Sequence, residues 1–237
     1  MPGRRPRDKT VMKPVPAANT QEVIPMKKHI VCLGDSNTHG YNANPADSAE
    51  GGDRFNEDER WTCLLQKALG SDYLVLEEGL SGRTTAFSDP LHESMDAVGV
   101  AYPVLMSHEP VDLLIIMLGT NDTKERFAAN APAIAVGMER LLLKCKSTPC
   151  WGKHDPNILV VCPPPLGAGF HDEVMGAGCV EKSVALPPYM KAVAERNECA
   201  FFDAGNCEMN DVDFTHLTKK GHRDLAEQLS KLVPALI

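Results

Sequence analysis

No stretch of this sequence is apolar for long enough to span a bilayer, so a transmembrane helix is excluded and no membrane partner is expected. The amino-terminal segment also lacks the apolar core of a secretory signal. It is rich in proline and carries Arg4, Arg5, Arg7, Lys9 and Lys13, and it reads as a disordered leader over residues 1–26. Its poverty in serine and its helix-breaking prolines disfavour an organelle transit peptide. One domain, residues 27–237, is expected to follow, and that length suffices for a single large core.

Excess positive charge is absent as well. Lys and Arg number 24 against 32 Asp and Glu, for a net charge of −8, so phosphate backbones are disfavoured and no nucleic-acid partner is expected. The eight cysteines contain no Cys-x-x-Cys pair, which leaves a zinc or redox-dithiol reading without support. Cys32 and Cys162 sit inside apolar runs, where a thiol behaves as a small hydrophobe. The set reads as reduced packing residues in a reducing compartment, hence a cytoplasmic protein. The histidines at 29, 92, 108, 154, 171 and 222 have no ligand-like spacing, so no metal is expected. Neither Gly167-Ala168-Gly169 nor Gly176-Ala177-Gly178 opens a helix after the first strand, which removes a dinucleotide fingerprint.

What is present is an alternation of short apolar runs with stretches of helical period. Strands are predicted at His29–Leu33, Tyr73–Leu76, Leu113–Leu118, Ile158–Cys162 and Ala200–Phe202. The third and fourth are almost unbroken apolar runs, as parallel strands covered on both faces require. Three helical stripes lie between or after them. They are Trp61, Leu64, Leu65, Ala68 and Leu69 ended by Gly70; Ile134, Met138, Leu141, Leu142 and Cys145; and Leu225, Leu229, Leu232 and Val233, with Thr218 as N-cap. Strands alternating with helices imply right-handed βαβ units and a parallel sheet between helical layers. Ligands of such sheets bind beyond the carboxyl ends of the strands.

Three motifs fall at that edge: Gly34-Asp35-Ser36-Asn37 after the first strand, Gly82 after the second, and Gly119-Thr120-Asn121-Asp122 after the third. A fourth, Asp213-Phe214-Thr215-His216, precedes the last helical stripe. A serine hydroxyl needs a base, and a histidine base needs an acceptor on its second ring nitrogen. Asp213 and His216 are three apart, so one turn of chain brings them together; Asp211, five before His216, is the alternative carboxylate. Ser36 N–H, Gly82 N–H and the Asn121 amide are candidate donors to an oxyanion, and glycine leaves room for close approach. Asp35 and Asp122 are expected to anchor their own loops through backbone N–H groups. Arg83 is expected either to grip a substrate carboxylate or to pair with Asp122 or Asp89. The long loops before Trp61 and around Pro163–Gly178 are expected to shape the site.

These four blocks in this order resemble the SGNH-hydrolase (GDSL-type esterase/lipase) superfamily. The stretches Glu78–Thr85 and Ile115–Asp122 are similar to its arylesterase and acyltransferase-like branch. The resemblance runs from about Lys28 to the C-terminal helix and implies a three-layer α/β/α flavodoxin-like fold with a parallel five-stranded sheet. It further implies a triad of Ser36, His216 and Asp213, an oxyanion hole of Ser36, Gly82 and Asn121, and neither metal nor organic cofactor. The implied activity is hydrolysis of short-chain, acetyl-like esters of small molecules. Transfer of the acyl group to an alcohol, sugar hydroxyl or peroxide is the alternative, and a non-catalytic binding module the third reading. Members of this branch often assemble, so a homo-oligomer is expected. Asn37 departs from the common motif, which has leucine there, and His39 stands where the acyltransferase-like members often carry tryptophan.

Overall fold

A computed structural model describes residues 25–237; the expected leader, apart from its last two positions, lies outside them. Five strands form one sheet: β1 Lys28–Gly34, β2 Tyr73–Gly79, β3 Leu113–Met117, β4 Ile158–Cys162 and β5 Ala200–Asp203. All neighbours pair in parallel, in the order β2-β1-β3-β4-β5. β3 and β4 are buried along their whole length, which is why their sequences are continuously apolar. The edge strand β2 is half-buried throughout and tolerates Glu77 and Glu78.

Among the described residues, six α-helices surround the sheet: α1 Ser36–His39, α2 Trp61–Leu69, α3 Ala97–Met106, α4 Ala131–Ser147, α5 Cys179–Arg196 and α6 Lys219–Leu232. Alternate strand residues divide between two cores. Val31, Leu33, Leu114, Ile116 and Val160 pack with α3, α4 and α5. Ile30, Cys32, Ile115, Leu159 and Val161 pack with α2 and α6. The fold is thus the expected three-layer α/β/α sandwich. Thr218 caps α6 as expected, its hydroxyl accepting from Gly221 N at 3.0 Å.

α3 and α5 have no counterpart among the three predicted stripes. α3 holds Gly99 and Pro103 inside it, and α5 holds Pro187 and Pro188. Proline removes a helical N–H, so these segments read as breaks; burial of Leu105, Leu186 and Met190 against the sheet outweighs that cost.

β1 lies between β2 and β3, so the chain reverses its direction of winding there. A crevice opens at such a switch point, beyond the carboxyl ends of the flanking strands. Ser36, Gly82 and Asn121 all follow strands that end at this place.

Below the crevice His222 is fully buried, with its ring edge against Phe55 and its Nδ1 accepting from Trp61 N at 3.3 Å. Burial pushes its pKa down to about 3, helped by the nearby charges of His216 and Arg60. The unfolded chain takes up this proton below about pH 6.5, whereas the folded protein resists until about pH 3. Stability is therefore lost as pH falls through that window, by roughly 2 kcal/mol at pH 5 from this residue alone. Thermal melts at pH 7.5 and pH 5 should show a smaller acid loss for His222→Phe than for the wild type. Equal losses would remove His222 as the cause.

Candidate active site

The turn that carries Ser36 is built by close packing. A Cβ on Gly34 would lie 2.0 Å from Thr38 Oγ1 and 3.0 Å from Met117 O, so only glycine closes β1 here. Asp35 then caps α1, its Oδ1 accepting from Asn37 N at 3.0 Å. This puts Ser36 first in a four-residue helix at the strand edge, nearly buried but open on its hydroxyl side to the crevice.

The histidine comes from a turn that precedes α6. Asn210 organises it: its Oδ1 accepts from Val212 N and Asp213 N, both at 2.8 Å. Its Nδ2 donates to Asp213 Oδ1 at 2.8 Å and to His216 O at 2.7 Å. Phe214 takes φ +57°, a left-handed conformation that folds Asp213 back toward His216. Asp213 Oδ2 accepts from His216 Nδ1 at 2.5 Å, and His216 Nε2 stands 2.8 Å from Ser36 Oγ. Burial raises the Asp213 pKa, but hydrogen bonds and charge from His216, with Thr215 N–H and Asn210, bring it down to about 2. An ionised Asp213 holds the proton on Nδ1 and leaves Nε2 as an acceptor for the Ser36 hydroxyl. Asp211 has no hydrogen bond to His216 among the described residues.

Gly82 and Asn121 line the same crevice as Ser36 and His216. Gly82 has φ +92°, which favours glycine. Among the described residues, neither Ser36 N–H nor Gly82 N–H donates to a protein acceptor. Asn121 Nδ2 donates to Asp35 Oδ2 at 3.4 Å, which sets the amide with its N–H₂ rather than its oxygen toward Asp35.

Three supporting residues are placed differently from expectation in part. Asp35 anchors its own turn as expected. Asp122 instead ties a neighbouring loop, accepting from Thr85 N at 2.9 Å and from the Thr85 hydroxyl. It thereby fixes the segment carrying Gly82 to the one carrying Asn121. Burial pushes the pKa of both Asp35 and Asp122 up to about 6, opposed at Asp35 by Asn37 N–H, His216 and Arg83 and at Asp122 by Thr85. Arg83 neither grips the crevice nor pairs with Asp122 or Asp89. It is buried and donates to the carbonyls of Gly34 and Glu78, bracing the ends of β1 and β2. Asp89 is engaged by Lys124 and Arg126, both at 3.1 Å.

The crevice has a volume of about 420 Å³. Both long loops contribute to its walls, Tyr41 from the first and Asp172 and Met175 from the second. Tyr41 packs its ring 4.5 Å from that of His216. The second loop is latched to the Asn121 segment: Arg126 Nη1 donates to Val174 O at 2.7 Å and Glu125 N to Met175 O at 2.8 Å. His39 does not line the crevice. Tyr41, Asn210, Asp172 and Met175 escaped sequence reasoning. Asn210 alone had a local signal, an Asx residue ahead of a polar turn. No group of three or more metal-ligating side chains stands together among the described residues, and no described helix is long and apolar enough to cross a membrane.

The profile of the GDSL-like lipase/acylhydrolase family matches residues 32–223. The aryl esterase of M. smegmatis shares 37% identity over 89% of this chain and 100% of its own, with a TM-score of 0.79. Est24, a carbohydrate acetylesterase from Sinorhizobium meliloti, has the same identity of 37%, the same coverage of 89% and 100%, and a TM-score of 0.79. A putative arylesterase from Agrobacterium tumefaciens shares 32% identity over 89% of this chain and 100% of its own, with a TM-score of 0.77. None of the curated proteins searched matches the chain. Matched along most of its length by the family profile and by esterases of the same fold, the chain belongs to the GDSL-like lipase/acylhydrolase family and is an SGNH-type serine hydrolase.

Proposed function

We propose that the protein hydrolyses short-chain, acetyl-like esters of small molecules through a Ser36–His216–Asp213 triad. The observation that carries this reading is the relay of 2.8 Å from Ser36 Oγ to His216 Nε2 and 2.5 Å from His216 Nδ1 to Asp213. Ser36 Oγ attacks the ester carbonyl while its proton passes to His216 Nε2. The carbonyl oxygen becomes an oxyanion and is held by Ser36 N–H, Gly82 N–H and Asn121 Nδ2, donors fixed in place before the substrate arrives. His216 returns its proton to the leaving alcohol as the tetrahedral intermediate collapses to an acyl-enzyme. Water, deprotonated by His216, then releases the acid and restores Ser36. Asp213 stabilises the imidazolium in both halves without taking its proton.

The short acyl group is supported by the relative named a carbohydrate acetylesterase. A series of p-nitrophenyl acetate, butyrate and octanoate tests it. The ratio kcat/KM should fall from acetate to octanoate by about tenfold or more, since each added methylene must find room in the crevice. Octanoate as the best substrate would remove the short-acyl reading, and inertness toward all three would count against hydrolysis itself. Added alcohol distinguishes water from a competing acceptor: transferred ester in excess of free acid would make the enzyme an acyltransferase.

Eight free thiols support a reducing compartment, here the cytoplasm, and recovery of the native protein outside it would remove that placement. The proposed homo-oligomer would be lost if sedimentation gave monomer mass across micromolar concentrations.

A further inference from the structure

Asn37, the residue at which this chain departs from the family's common leucine, makes a two-point contact across the site. Its Nδ2 donates to Thr215 O at 3.2 Å, and its Oδ1 accepts from Leu217 N at 2.9 Å. Those are the backbone groups on either side of His216. One side-chain amide, adjacent in sequence to Ser36, thus clasps the chain that presents the base from 180 residues away, as a neighbouring strand would. The rest of Asn37 is committed as well. Its N–H is held by Asp35 at 3.0 Å, and its carbonyl accepts from Trp61 Nε1 at 3.1 Å. The residue is buried, so the amide is held without competition from water. Leucine at this position could fill the volume but could meet neither Thr215 O nor Leu217 N.

We propose that Asn37 is a positioning residue that sets the separation and alignment of His216 Nε2 and Ser36 Oγ. Asn210 shapes the turn that bears His216 from within, and Asp213 orients the ring; Asn37 is the element that registers this turn against the nucleophile. The inference rests on the triad reading, because it assigns Asn37 an effect that runs through His216 alone. Such alignment acts on the chemical step. A displacement of about 1 Å between reacting groups can lower a rate by about a hundredfold while leaving substrate binding intact.

A double-mutant cycle tests it. With p-nitrophenyl acetate, Asn37→Leu should lower kcat by roughly 30- to 100-fold with KM within about twofold of wild type. In a His216→Ala background, where no imidazole is left to align, the same substitution should change the residual rate by less than about twofold. Asn37→Asp is the companion: it is nearly isosteric and keeps an acceptor for Leu217 N, but it sets a second acceptor oxygen against Thr215 O where the donor stood. It should give the same pattern, and it carries the test if Asn37→Leu does not fold. Melting curves establish folding at the assay temperature. Equal losses in both backgrounds, a loss confined to KM, or no loss with either variant would overturn the inference. If His216→Ala or Ser36→Ala alone kept the wild-type rate, the triad reading would fail instead, and Asn37 would fall with it for a separate and visible reason.

Discussion

Ser36→Ala should lower kcat on p-nitrophenyl acetate by about 10⁴- to 10⁶-fold while KM stays within a few-fold of wild type. The substitution removes one oxygen whose protein partner is His216 Nε2. The backbone role of the residue survives, since Ser36 O still accepts from Gly40 N and Tyr41 N, both at 2.9 Å. The turn, the crevice and the three proposed oxyanion donors should therefore remain, and substrate should still bind. What is lost is the bond-forming atom, so the covalent route closes and only direct attack by water remains. A residual rate above that of the uncatalysed reaction is expected, supplied by Ser36 N–H, Gly82 N–H and Asn121. Melting temperature should move little, because one buried but partly open hydroxyl contributes about 1 kcal/mol at most. Steady-state kinetics together with the loss of a p-nitrophenol burst would check both halves. A variant within tenfold of wild type would require another nucleophile. The thiols of Cys63 and Cys207 are poor substitutes, since burial pushes each up to about 11 and leaves little thiolate at neutral pH.

Much of this site is legible in the sequence because its parts are local or tied to strand ends. Ser36, Gly82 and Asn121 each follow an apolar run, and a parallel sheet carries the ends of such runs to one edge. Asp213 and His216 are three apart, so their pairing needs only one turn. The parts that were not legible depend on partners far along the chain. The role of Asn37 is invisible without Thr215 and Leu217, and Asp122 acts on Thr85, 37 residues upstream. Arg83 reads in the sequence as a charge seeking a carboxylate, yet it donates to backbone carbonyls at two strand ends. Tyr41 lies in a loop whose course no periodicity describes. In α5, Pro187 and Pro188 argue locally against a helix, and only tertiary burial of the same face reverses that reading.

Asp213→Asn should lower kcat by about 10⁴-fold near neutral pH with the fold kept. The reason lies in which oxygen of Asp213 does what. Oδ1 accepts from Asn210 Nδ2 at 2.8 Å, Thr215 N at 2.9 Å and His216 N at 3.2 Å. Oδ2 faces His216 Nδ1 at 2.5 Å. An asparagine has one carbonyl oxygen and one amide nitrogen to distribute between these two places. Three N–H donors converge on the first, so the oxygen must go there and the NH₂ group must face Nδ1. That group can only donate, which forces Nδ1 to be the acceptor and moves the imidazole proton to Nε2. The proton then points at Ser36 Oγ, and the histidine cannot act as a base although every heavy atom stays near its place. Since the Asn210, Thr215 and His216 contacts persist, the turn should remain folded and KM should change little. Asp213→Ala, by contrast, removes the anchor of the turn as well, so its melting temperature should fall further than that of Asp213→Asn. An Asp213→Asn enzyme within tenfold of wild type would mean that the tautomer of His216 is set without Asp213, and the lowered pKa of that carboxylate would then reflect an ion pair that serves the turn and not the reaction.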